Sequence, residues 1–266
     1  MRIRQIVLGA LLALFVGGLN EISLAVEHLA VSGDGTFIIS GGASRVLYQH
    51  DAASLRVVKR TRVNQPIQDL AVNRDGNLMF IADGVFEPTI TVRKTATGEV
   101  VQTIPKVQVL GGFGSRSGIF AVAQPADRLV YSQDGYFHVL SMLDARELVT
   151  IAHPDPAPFL VTLNPDGTVL AVITRGVPNE EEVKAPPADL QAGPKLTEFK
   201  EKHDGKGSIL TLYDVGSRKQ TARVPFWFSA DGYQNAVCGF TGDDLVVLTY
   251  GNVNARITED GAVTLL

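Results

Sequence analysis

"LAVNRDGNLMFIADG", Leu70 to Gly84, holds two apolar runs on either side of Asp75-Gly76. Asp-Gly suits a tight hairpin turn, because glycine takes positive φ at no steric cost and aspartate tolerates the neighbouring turn conformation. Near copies stand at Leu29 to Gly42, "LAVSGDGTFIISGG", and at Leu160 to Thr174, "LVTLNPDGTVLAVIT". Aligning on the turn gives a column of five: Asp34-Gly35, Asp75-Gly76, Ala126-Asp127, Asp166-Gly167 and Gly242-Asp243. Three copies have the favoured pair and two are degenerate.

After each hairpin come a third β-like run, a second turn and a fourth run. The examples are "SRVLYQHDAASLRVVKRT" from Ser44, "TITVRKTATGEVVQTI" from Thr89, "YFHVLSMLDARELVTI" from Tyr136, "SILTLYDVGSRKQTARV" from Ser208 and "NARITEDGAVTLL" from Asn254. Each unit is therefore four strands, A to D. Asp34 and Asp75 are 41 positions apart, and Ala126 and Asp166 are 40 apart. Four-stranded units at this period are the pattern of propeller blades, each of which buries its faces only by stacking on its neighbours. Strand A fits a narrow axis, since the matched positions Ala30, Ala71, Val122, Thr162 and Cys238 are all small. Flanking positions are mostly apolar, as expected of strands covered on both faces. The fold class expected is all-β, a propeller of five four-stranded blades at about 26–66, 67–111, 112–157, 158–225 and 226–266.

These units resemble WD40 or YVTN-type β-propeller repeats from Val26 to Leu266, with the looser extracytoplasmic bacterial propellers as the nearer likeness. No Gly-His pair opens the units, and Trp-Asp survives only as Tyr213-Asp214. The resemblance is specific for the fold and says little of function.

Arg2 and Arg4 precede an apolar run from Ile6 to Leu19, and Ser23-Leu24-Ala25 then supplies small residues. This is the pattern of a secretory signal cleaved after Ala25, so a secreted or periplasmic protein is expected, with an uncleaved anchor as the alternative. The run falls short of the roughly 20 residues a spanning helix wants. No membrane span is expected to remain after cleavage. Removing 1–25 takes away Arg2, Arg4 and Glu21 and moves the net charge from −4 to −5, against nucleic acid as a partner. The single cysteine, Cys238, forms no intrachain disulfide and reads as a small buried hydrophobe.

In a propeller the B–C and D–A connections share one end of the blades, and the unusual segments collect there. They are "KVQVLGGFGSRSG" before unit 3, "AHPDPAP" before unit 4, "FWFSADGY" before unit 5, and a charged insert at 175–207 in unit 4. Loops on a rigid scaffold are where binding sits. The candidate binding surface is therefore Phe113, Arg116, His153, Asp155, Phe226, Trp227 and Phe228, with Tyr136 at the start of strand C in unit 3. The insert reads either as a solvated excursion or as a docking arm, with a short helix possible around Leu196 and Phe199. Phe226 to Phe228 read either as the core end of strand D or as an anchor for a partner.

The glycines of "GGFGSRSG" miss dinucleotide spacing and lead into a strand. The nucleophile-elbow pattern fails too, because Arg116 stands where serine is needed. His28, His50, His138, His153 and His203 have no metal-ligand spacing along the chain. No metal, cofactor or catalytic residue is assigned. The expected function is a non-catalytic protein-interaction scaffold. A glycosidase-like enzyme is one alternative, but it needs carboxylates on the inner strands, where only Glu27 and Asp69 stand at strand A entrances. An accessory propeller subunit resembling those of quinoprotein dehydrogenases is the other.

Overall fold

The computed structural model describes residues 28–110, 118–153, 158–176, 207–226, 237–241, 245–250, 253–257 and 263–265. They form five sheets, each of four antiparallel strands in chain order. Sheet 1 comprises β1 (His28–Val31), β2 (Phe37–Gly41), β3 (Val46–Asp51) and β4 (Val57–Arg62). Sheet 2 comprises β5 (Ile67–Val72), β6 (Leu78–Asp83), β7 (Thr89–Lys94) and β8 (Val100–Ile104). Sheet 3 comprises β9 (Phe120–Ala123), β10 (Arg128–Gln133), β11 (Tyr136–Ser141) and β12 (Glu147–Ala152). Sheet 4 comprises β13 (Pro158–Leu163), β14 (Val169–Gly176), β15 (Gly207–Asp214) and β16 (Lys219–Phe226). Sheet 5 comprises β17 (Val237–Thr241), β18 (Leu245–Tyr250), β19 (Val253–Ile257) and β20 (Val263–Leu265). Among the described residues the one helix is a 3-10 turn at Gln124–Ala126, and no helix is long and apolar enough to cross a membrane.

The turns repeat as closely as the strands. In the A–B connection the N–H of Gly35, Gly76 or Gly167 donates to the carbonyl of Ser32, Asn73 or Asn164 three residues earlier, at 2.8 to 3.1 Å. The glycines hold φ of 71°, 72° and 67°. In sheet 3, Asp127 takes the same place at φ 49° and donates to Gln124 O, so the degenerate turn keeps the geometry. The residue two before the aspartate caps the turn with its side chain. Asn73 Oδ1 accepts from Leu78 N at 3.1 Å, Asn164 Oδ1 accepts from Val169 N at 2.9 Å, and Ser32 Oγ accepts from Phe37 N at 3.1 Å. All three residues are buried, so these bonds satisfy backbone donors that water cannot reach.

The C–D turns share a second signature. Leu55, Gly98, Ala145 and Arg218 each sit at φ between 57° and 79°, and each C–D ladder in sheets 1 to 4 carries a register shift near that turn. Only one of the four is glycine. The side chain of Arg218 is exposed, so it pays the left-handed penalty without burying surface in return. Arg218→Gly is expected to raise stability by about 0.5–1 kcal/mol, the left-handed penalty less the extra entropy of glycine. A lower melting temperature in that variant would show that the arginine makes a compensating contact.

Contacts divide the chain into two compact units, one built on sheets 1 and 2 and the other on sheets 3 to 5. In the first, Ala30, Ile39 and Leu47 of sheet 1 pack on Leu70, Val72, Met79 and Ile81 of sheet 2. Full cover on both faces is expected of strand A, but Leu29 is 40% exposed. It alternates with Ala30 and so lies on the face of sheet 1 turned away from sheet 2. On that same face Ser40 Oγ and His50 Nε2 meet at 3.0 Å, a buried polar pair. In the second unit, Phe137, Val139, Val149 and Ile151 of sheet 3 pack on Leu163, Leu170, Val172 and Tyr213 of sheet 4.

Candidate functional site

Antiparallel pairing places the B–C and D–A connections at one end of each sheet. In the second unit the β10–β11 connection is a two-residue loop, with Gln133 paired to Tyr136. Asp134 and Gly135 both take positive φ, 51° and 81°, which is the type I′ geometry that matches strand twist. A rigid turn thus sets Tyr136, which is 47% exposed. The Gly135 carbonyl also accepts the His153 N–H at 3.1 Å, tying the end of sheet 3 to the same turn.

His153, expected at the binding surface, is a core residue. It is 7% exposed, its ring lies 4.8 Å from that of Phe137, and Nδ1 meets the Tyr213 hydroxyl at 2.9 Å. Two aromatic residues distant in sequence enclose it, which no local pattern around "AHPDPAP" reveals. Tyr213 thereby joins sheet 4 to the strand end of sheet 3. Its neighbour Asp214 accepts from Ser217 N at 2.6 Å and closes the C–D turn. Phe226 ends β16, where its backbone pairs with Ser208. Phe113, Arg116, Asp155, Trp227 and Phe228 lie outside the described residues, as does the insert from 177 to 206.

In the first unit the β6–β7 connection presents Phe86, 83% exposed, and Val85, 47% exposed. Its base is fixed: Gly84 N donates to Pro66 O at 3.1 Å, and Val107 N donates to Pro88 O at 3.0 Å. Gly84 holds φ 97°, and a Cβ there would lie 3.1 Å from Glu87 O, so the bend requires glycine. Sequence reasoning missed Phe86. Its signal was two apolar residues in a Gly-to-Pro loop too short to bury them.

Burial pushes the Asp83 carboxyl above its ordinary range, partly offset by the nearby Arg93 cation. Asp69 Oδ1 accepts from the Leu70 N–H at 2.9 Å, and Glu27 lies outside the described residues. In sheet 3, His138 Nδ1 donates to Glu147 Oε2 at 2.7 Å, while its ring stacks on Tyr131 at 5.0 Å. The His138 bond holds Glu147 below the usual carboxylate range. Burial, helped by the Glu147 charge, pushes the Tyr131 hydroxyl up to about 12. The described residues contain no group of three or more His, Cys, Asp or Glu able to hold a metal.

Acid should destabilise the protein through its turns. Hydrogen bonds from Ser32, Ser54 and Ser217 lower Asp34, Asp51 and Asp214 from 3.8, as His138 lowers Glu147 from 4.5. A carboxylate lowered on folding stabilises above its unfolded pKa, and the contribution fades as pH falls through the folded value. Asp83, being raised, acts in the opposite sense. The melting temperature is expected to decline as pH drops through the range below 4.5. Asp34→Asn should flatten that decline, and an identical slope in the variant would remove this turn from the account.

No family model and no curated protein matches the chain. Among solved structures it is similar to a chain of Kuenenia stuttgartiensis hydrazine synthase, a β-propeller-containing protein, with TM-score 0.61 and 13% identity. The likeness covers 94% of this chain and 69% of that one. At that identity the likeness shows the fold alone, and the fold is an all-β propeller. Matching solved chains number 1559, and a fold so widely shared does not by itself specify an activity.

Proposed function

We propose that this protein is a non-catalytic propeller scaffold of the WD40/YVTN-like kind, with its five sheets as the blades of one ring, binding another protein through its B–C and D–A connections. The observation that carries this reading is an exposed aromatic at the B–C connection of two successive sheets, Phe86 at 83% within the connection and Tyr136 at 47% on the strand residue that follows it, both connections being pinned by backbone hydrogen bonds. Aromatic side chains on a preordered backbone lose little entropy on binding and are common anchors of protein interfaces. An extracytoplasmic site of action rests on the basic and apolar pattern of Arg2 to Leu19.

The test places a photo-crosslinking amino acid at 86 or at 136 in the native host, with position 218 in a C–D turn as the control. Discrete protein adducts from 86 and 136 but not from 218 are expected. Against the partner so identified, Phe86→Ala or Tyr136→Ala should weaken binding by about tenfold or more with an unchanged melting temperature. Adducts at all three positions alike, or at none, would overturn the reading.

A further inference from the structure

We infer that the seam between sheets 1 and 2 holds one ordered water, bound by Lys59 and Thr95 as part of the fold. The inference is independent of the proposed interaction surface, because it concerns the other end of the first unit. Lys59 reaches from the edge strand β4 to the C–D turn of sheet 2. Its Nζ donates to Thr95 O at 3.0 Å and to Ala96 O at 2.7 Å. An ammonium carries three protons, and two carbonyls use two of them.

Beside this clamp is a small cleft with room for one water-sized body, lined by Gln49, Thr61, Thr95 and the Lys59 side chain over Ile39, Leu47 and Met79. Thr95 is 5% exposed, and its Oγ1 has no hydrogen-bond partner among the protein groups. Its N–H is already used, donating to Asn77 O at 2.9 Å, and its carbonyl holds Lys59. A buried hydroxyl left bare costs free energy, and proteins satisfy such groups with internal water where the site is polar and large enough. Here a water can accept the third Lys59 proton and pair with the Thr95 hydroxyl, with the Gln49 amide and Thr61 hydroxyl on the same wall. The apolar floor of Ile39, Leu47 and Met79 offers it nothing, so its position is set by the polar side. The water completes a bridge between sheets whose outer strands have no ladder between them.

The sign of one substitution separates the possibilities. Thr95→Val keeps the shape and removes the hydroxyl. With a bridging water lost, the melting temperature should fall by about 2–6 °C, whereas Thr95→Ser should stay near the parent. An unsatisfied hydroxyl predicts the reverse, since its removal relieves a penalty and the valine variant melts higher or unchanged. A crystal structure of the parent at high resolution gives the second measurement, independent of whether the variant folds. One peak within hydrogen-bond distance of both Thr95 Oγ1 and Lys59 Nζ is expected. No peak there, or an anomalous signal after a bromide soak marking an anion, would overturn the inference.

Discussion

Phe137→Ala is expected to lower the free energy of unfolding by about 3–5 kcal/mol, the usual range for emptying a buried aromatic site. Phe137 is fully buried in β11, where it pairs with Ser132 on one side and Ile151 on the other. It sits in the cluster that joins sheet 3 to sheet 4, with Leu163, Leu170 and Val172 among its members. Its ring also backs His153, whose Nδ1 bonds the Tyr213 hydroxyl across that seam. Truncation therefore removes apolar burial and loosens the wall that holds a buried polar pair, and a half-held buried pair is costly. Strands β10 and β12 pair with β11 on either side of Phe137, so collapse into the void is limited. Phe137→Leu, which keeps much of the volume, should cost under about 1.5 kcal/mol. Urea denaturation of the three proteins measures the series. An alanine variant within about 1 kcal/mol of the parent would mean that the seam closes over the gap, against the rigidity the ladders imply.

What could be read from the sequence follows from where backbone conformation is written in residue type. Gly35, Gly76 and Gly167 need positive φ, and glycine announces that need, so three hairpins and their period are legible in the letters alone. The C–D turns need the same conformation, but Leu55, Ala145 and Arg218 adopt it without being glycine, and their common geometry left no mark in the letters. Asp134-Gly135 contains the favoured pair of a two-residue hairpin, yet it falls just before the run from Tyr136 and was not read as a turn. The capping residues Ser32, Asn73 and Asn164 stand two positions before each aspartate, where a polar letter does not distinguish a cap from an ordinary turn residue. Their role lies in side chains that accept backbone N–H groups five residues on. Burial was the least legible property at the candidate site. His153 meets Tyr213, 60 positions away, and contacts at such range are a matter of how whole sheets pack. Phe86 is exposed for the opposite reason, since the short connection between β6 and β7 offers it no cover.

A pair of substitutions in one turn separates the two ways a glycine can be required. Gly35→Ala meets open space, with no heavy atom within 4 Å of the added Cβ, but it must hold φ 71°. That strain costs about 1–2 kcal/mol for a side chain in the left-handed region. Gly33, two residues earlier, has no such φ, and the matching positions of the other hairpins hold Arg74 and Pro165, so the turn itself does not demand glycine there. The demand comes from the neighbouring sheet. A Cβ on Gly33 would lie 2.6 Å from the Arg74 Cα and closer still to the Arg74 carbonyl oxygen. Those are backbone atoms, fixed by the Gly76 N–H bond to Asn73 O and by the buried Asn73 side chain on Leu78 N, so no rotamer change relieves the overlap. One of the two hairpins has to move, and the shift propagates into the packing of Ala30 and Ile39 on Val72 and Met79. Gly33→Ala is therefore expected to cost more than Gly35→Ala, about 2–3 kcal/mol, in the range of overpacked sites. It should also speed amide exchange in both turns, where Gly35→Ala speeds it in one. Equal losses in the two variants, or a milder one at Gly33, would show that the two hairpins have room to part and that their close approach is not a constraint on this fold.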